Sequence, residues 1–180
     1  RSVHRTTTSW RKKRGKIALI PTMGALHEGH ISLIRAARAQ ARWVIVSIFV
    51  SPTQFGATED YKAYPRRIKE DAEVCENEGV DAIFIPSAEE MFAASHSTWI
   101  IEESLSSVLC GARRPGHFRG VCTIVLKLFM LCQPHVAFFG WKDAHQALVI
   151  RRMVRDLNVP VSIVTCPTKR DPDGLALSSR

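Results

Sequence analysis

The chain has 180 residues, 46% of them hydrophobic and 23% charged, the proportions of a globular domain with a core of its own. No run approaches the ~18 consecutive apolar residues of a membrane-spanning helix, and the opening residues lack the charged–apolar–small pattern of a secretory leader. The net charge of +8 sits at one end: residues 1–16 hold seven bases and no acid, leaving 18 basic against 17 acidic residues elsewhere, which argues against a nucleic-acid-binding surface on the folded body.

In chain order, residues 1–16 read as a solvated basic helix or arm ahead of the first strand. Residues 17–21 form a short buried strand, and Ile31, Leu33, Ile34, Ala37 and Ala41 follow at helical spacing. The unbroken run WVIVSIFV at 43–50 is the clearest strand. Residues 65–78 form a charged helix with Ile68, Ala72 and Cys75 inward, ended by Gly79. A strand at 81–86, short irregular elements over 87–118 and an apolar buried helix at 121–132, stopped by Pro134, come next. A strand at 135–139, a helix at 144–158 and a strand at 161–166 complete the pattern. Buried strands joined by helices imply an α/β fold with a doubly wound parallel sheet, Rossmann-like. The five cysteines (75, 110, 122, 132, 166) have no C-x-x-C spacing, so neither a disulfide framework nor a zinc site is expected.

Ligands of such sheets bind beyond the carboxyl ends of the strands, where four unusual segments fall. After the first strand comes PTMGALHEGH, with His27 and His30 three apart at a loop-to-helix junction. Its glycines admit close backbone approach, the helix start offers N–H groups to an anion, and the imidazoles suit phosphate oxygens. The alternative is a pair of helix-capping histidines. A metalloprotease is excluded, because H-E-x-x-H needs one more residue between them. After the second strand, Gln54 precedes Phe55, a pocket wall or a turn. After the fourth, Lys142 and Gln146 are four apart and face one way, an ammonium for phosphate and an amide for a hydroxyl or carboxylate. Ser178, Ser179 and Arg180 supply two hydroxyls and a guanidinium. The block RRPGHFRG at 113–120 reads equally as an anion site or as loop structure. His4, His96 and His135 read as structural or surface residues.

Six motifs in this order, PTMGALHEGH, VSIFVSPTQFG, YPR, RPGHFRGV-x-TIV-x-KLF, FGWKD-x-x-Q and DGLALSSR, closely resemble the pantoate–β-alanine ligase family from about residue 15 to residue 180. The resemblance implies a two-step reaction: pantoate and ATP give pantoyl adenylate and pyrophosphate, then β-alanine displaces AMP. It implies that Met23, Gly24, Ala25, Leu26, His27, Glu28, Gly29 and His30 bind ATP, with His30 the catalytic acid and His27 holding phosphates. By the same resemblance, Gly140, Trp141, Lys142 and Asp143 would form a second nucleotide segment, in which Lys142 would stabilise the transferring phosphoryl charge. Lys169 would touch the adenine through its backbone, and Leu177, Ser178, Ser179 and Arg180 would form the mobile phosphate loop. Gln54 and Gln146 would bind pantoate, Gln54 also β-alanine, and Asp71 is a candidate metal contact for Mg²⁺. The family resemblance further implies a cytoplasmic homodimer.

Ser51 stands where the family usually has Asn, Trp141 where it has Glu and His145 where it has Gln. The resemblance also implies a smaller carboxyl-terminal domain that closes the site against water. The 180 residues do not include that region, so residues 1–180 alone are expected to bind ATP weakly and to ligate poorly. Two other readings compete: a nucleotidylyltransferase sharing H-x-G-H, and a nucleic-acid-binding domain using residues 1–16.

Overall fold

The computed structural model describes residues 2–56 and 61–179. Its strands fall on the apolar runs: β1 (Ile17–Thr22), β2 (Trp43–Ile48), β3 (Ala82–Phe84), β4 (Val136–Gly140) and β5 (Ser162–Cys166). All pairings are parallel, in the order β3-β2-β1-β4-β5, the doubly wound Rossmann-like arrangement expected from the sequence. Successive residues face opposite sides of a strand. Ile17, Leu19, Ile45, Ala137 and Phe139 therefore join one core, while Ala18, Ile20, Val44, Val46 and Phe138 join the other. Covering both faces is what makes the strands read as continuous apolar runs.

The helices are α1 (Val3–Arg11), α2 (Glu28–Arg38), α3 (Ile68–Asn77), α4 (Ala88–Met91), α5 (Cys110–Arg113), α6 (His117–Cys132) and α7 (Ala144–Asp156). Helices α2 and α3 cover one face with Leu33, Ile34, Ala37 and Cys75. Helices α6 and α7 cover the other with Val121, Val125, Leu128, Ile150 and Met153.

Three expectations need correction. Helix α6 begins at His117 rather than at 121, so the second half of the RRPGHFRG block is helical. Gly116, at φ 80°, turns the chain into that helix. Gly120 lets it pass the 52–54 turn, since a Cβ there would lie 2.1 Å from the Thr53 carbonyl oxygen. The inward face of α3 carries Asp71 and Cys75, whereas Ile68 is 47% exposed. Finally, α1 is docked rather than solvated. Thr7 is buried, Trp10 stacks on Trp43 with centroids 4.9 Å apart, and the Arg11 Nε donates to the Gln133 carbonyl at 3.0 Å. The other described bases of this segment, Arg5, Lys12, Lys13, Arg14 and Lys16, stay exposed.

All five cysteines are free thiols, four of them buried, and burial raises the pKa of Cys132 to about 12. Removing the Trp10 ring should lower the unfolding free energy by about 1–3 kcal/mol through lost stacking and packing. Lys12→Ala and Arg14→Ala should each stay within about 0.5 kcal/mol, all measured by urea unfolding.

Candidate active site

Strand β1 ends on Thr22, whose hydroxyl donates to the Ser47 carbonyl at 2.7 Å and accepts from the Gly24 amide at 3.2 Å. The chain then reverses through Gly24 (φ 83°) and Ala25 (φ 52°) before α2 starts. His27 caps that helix. Its Nδ1 accepts the Gly29 N–H at 3.1 Å, and the His30 Nδ1 accepts the His27 N–H at 3.2 Å. The glycine between them has a steric cause: a Cβ at Gly29 would lie 2.7 Å from the Cε1 of His27. The capping reading of this pair is therefore correct. The amides of Gly29 and His30 are already taken by His27, so the imidazoles rather than those N–H groups are presented outward.

With each Nδ1 accepting, a neutral ring carries its proton on Nε2. Burial, the neighbouring His27 and Lys142 together lower the His30 pKa to about 4. Burial and then Lys142 lower that of His27. At neutral pH the pair is thus two uncharged N–H donors.

The rings face a cleft of about 480 Å³ at the carboxyl ends of β1 and β4, within the range of small-molecule sites. Met23, His27, Gly29, His30, Gln54, Gly140, Lys142, Asp143, Gln146, Lys169, Leu177, Ser178 and Ser179 all line it. Arg180 lies outside the described residues. Gly24, Ala25, Leu26, Glu28, Trp141 and Asp71 do not line it. Gly24, Ala25 and Leu26 form the turn beneath, and Glu28 is exposed. Trp141 is 43% exposed with Arg151 5.9 Å from its ring centre. Asp71 is buried and spends its oxygens on the amides of Ala25 and Leu26, at 2.9 and 2.7 Å. Among the described residues no group of three or more His, Cys, Asp or Glu side chains is gathered to hold a metal.

Sequence reasoning missed the apolar wall of Phe49, Ile124, Val125, Leu128 and Phe139, which carries no signal separating it from core. Arg114 and His117, left open between two readings, also line the cleft. Arg114 donates to the Nε2 of His117 at 2.9 Å, and the Nδ1 of His117 donates to the Gln54 carbonyl at 2.8 Å. Of the three departures, Ser51 is buried with its hydroxyl 3.0 Å from that of Thr53. The Nε2 of His145 donates to the Leu105 carbonyl at 2.8 Å, so it anchors α7 instead of facing a ligand. Three cations, Arg114, Lys142 and Lys169, face the cleft against one acid, Asp143, among its described lining residues.

The sequence profile of the family described as Pantoate-beta-alanine ligase matches residues 1–180. The chain belongs to the pantoate–β-alanine ligase family. A pantothenate synthetase of Thermotoga neapolitana is 58% identical over 170 residues, covering 94% of this chain and 61% of that protein. A crystal structure of the Thermus thermophilus pantothenate synthetase superposes with a TM-score of 0.90 at 48% identity, covering 96% of this chain and 64% of the other. A pantoate-beta-alanine ligase from Francisella tularensis, complexed with beta-gamma ATP and beta-alanine, gives a TM-score of 0.91 at 40% identity, covering 97% and 69%. The chain thus spans about three-fifths of the length of the curated relatives it matches. No helix of the described residues is long and apolar enough to cross a membrane.

The displaced His30 pKa has a sign that can be tested. Below the usual imidazole value of 6.5 the unfolded chain takes up the proton before the folded one does. This group's contribution is therefore constant above about pH 6.5 and is lost toward about pH 4, at about 1.4 kcal/mol per pH unit. NMR titration of the folded protein should give a His30 midpoint near 4, and His30→Gln should flatten the acid limb of the stability curve.

Proposed function

We propose that this family member condenses pantoate with β-alanine at the expense of ATP, through a pantoyl-adenylate intermediate. The observation that carries the reading is the meeting of His27, His30 and Lys142 with Gln54 and Gln146 in one cationic cleft. It is supported by a relative, from Francisella tularensis, complexed with beta-gamma ATP and beta-alanine.

In the first step a pantoate carboxylate oxygen attacks the α-phosphorus, and the bond to the bridging oxygen breaks to release pyrophosphate. Charge grows on the phosphoryl and leaving oxygens. The Nε2–H groups of His27 and His30 and the ammonium of Lys142 are the fixed donors that meet it. Ser178, Ser179 and Arg180 add hydroxyls and a guanidinium for the phosphates, and Lys169 lies toward the adenine. The apolar wall of Phe49, Ile124, Val125, Leu128 and Phe139 takes the branched dimethyl carbon of pantoate. The amides of Gln54 and Gln146 take its oxygens, and Gln54 also borders the β-alanine position. In the second step the amine attacks the acyl carbon, loses a proton and expels AMP.

Asp143 is the one acid among the described lining residues, which fits a Mg²⁺ that arrives on the triphosphate rather than one caged by protein carboxylates. When bound, the ion would neutralise phosphate charge, with Asp143 as its protein contact. Asp71 is not proposed for that role. We also propose a cytoplasmic homodimer, in which residues 17–180 form the nucleotide-binding domain, α1 docks against it and a further carboxyl-terminal domain closes the cleft.

Pyrophosphate release should depend on pantoate. Release driven instead by a nucleotide co-substrate would identify a nucleotidylyltransferase, and a salt-sensitive shift on DNA that needs residues 1–16 would favour the nucleic-acid reading. His30→Ala should lower kcat by about 10²–10³-fold, and an unaffected rate would remove its assignment. Residues 1–180 alone should turn over more slowly than a chain of the relatives' length. Equal turnover would dismiss the closing domain.

A further inference from the structure

Asp71 lies in the first turn of α3, where the helix dipole favours negative charge, and it is 3% exposed. Its Oδ2 accepts the Ala25 N–H at 2.9 Å and its Oδ1 accepts the Leu26 N–H at 2.7 Å. These are the two residues immediately ahead of His27. The turn is demanding, since Ala25 sits at φ 52°, a region that a residue with a Cβ adopts only when its surroundings hold it there. Gly24 lets the carboxylate approach, because a Cβ there would lie 2.9 Å from the Asp71 Oδ2.

Packing secures the flanks of the turn, with Gly24 buried and Leu26 against the core, but Ala25 borders open space. A second cavity of about 280 Å³ lies against Ala25, Leu26 and His27, bordered by Arg67, Asp71, Ser178 and Ser179, among others. The turn therefore runs between two open spaces, with His27, Ser178 and Ser179 lining both. From the far end of the chain, the Ser179 hydroxyl donates to the Ala25 carbonyl at 2.9 Å. Ala25 is thus fixed on its N–H side by Asp71 and gripped on its carbonyl side by Ser179.

We propose that Asp71 is a positioning residue: its carboxylate, by holding the strained Ala25–Leu26 amides, sets both the aim of the His27–His30 pair and the docking point of Ser179. In kinetic terms this rests on the ligase reading above; as a statement about the turn it does not. Asparagine cannot replace the carboxylate, because its NH₂ would face one of the two N–H groups.

The test combines exchange with kinetics. In the unsubstituted protein the Ala25 and Leu26 amides should exchange hydrogen as slowly as those of strand β1. Asp71→Asn should release at least one of the two amides while β1 stays protected. It should lower kcat for pantoate-dependent pyrophosphate release about tenfold or more and leave KM for pantoate within about twofold, since Gln54 sits in the 52–54 turn and Gln146 on α7. Adding Ser179→Ala should cost less than its separate effect predicts, as both changes act through Ala25. A folded Asp71→Asn protein with unchanged kcat, or strictly additive losses, overturns the proposal. So do Ala25 and Leu26 amides that exchange at loop rates in the unsubstituted protein, a measurement that decides the matter even if the variant fails to fold. If the unsubstituted protein releases no pyrophosphate with pantoate, the ligase reading fails, and the exchange data still judge the turn.

Discussion

The crossovers from β1 and β4 leave the sheet on opposite faces, and everything at the site follows from that divergence. Helix α2, after β1, packs with Leu33, Ile34 and Ala37 on one core, and α7, after β4, packs with Ala147, Ile150 and Met153 on the other. The two strands are hydrogen-bonded neighbours, so their continuations separate just past the sheet edge and leave a crevice no side chain of the layers fills. Histidines from one connection and a lysine from the other then meet across it, although His30 and Lys142 stand 112 positions apart in the chain.

Within that crevice the local chemistry is governed by what the backbone has already claimed. The short spacing of the histidines lets each Nδ1 bond an amide of the same helical turn, which leaves both Nε2 positions as donors. Burial and, after it, nearby Lys142 disfavour protonation of either ring. The positive charge of the cleft is thus placed on Lys142, Lys169 and Arg114, while the histidines add directional hydrogen bonds without adding repulsion. Such division suits a site that receives a polyanion and then stabilises charge moving along it.

Helix α6 shows how one element serves core and ligand together. Val121, Cys122 and Phe129 face the sheet, while Ile124, Val125 and Leu128 also reach the cleft. At its amino end, His117 and Arg114 bond the Gln54 carbonyl, and Gly120 makes room for the Thr53 carbonyl. The position of Gln54 is therefore set by the same helix that forms the apolar wall opposite it.

The doubly wound parallel sheet, the two-sided burial and most of the cleft's polar residues were legible in the amino-acid order, because continuous apolar runs and glycine-rich turns are local patterns. Gln54, Lys142 and Gln146 belong to that group. Asp71, Trp141 and the wall residues do not. A carboxylate on a charged helix looks the same whether it holds an ion or two amides, and only the approach of the Gly24–Leu26 turn to α3 decides it. Trp141 shares a segment with Lys142 yet lies outside the cleft lining, since its helical turn directs consecutive side chains differently. Ile124 and Val125 are chemically indistinguishable from core residues until the crevice between α2 and α7 exposes one side of them. Composition and spacing established which groups the chain carries and that they stand at strand ends; contacts between residues distant along the chain determined which of those groups face a ligand and which hold the others in place.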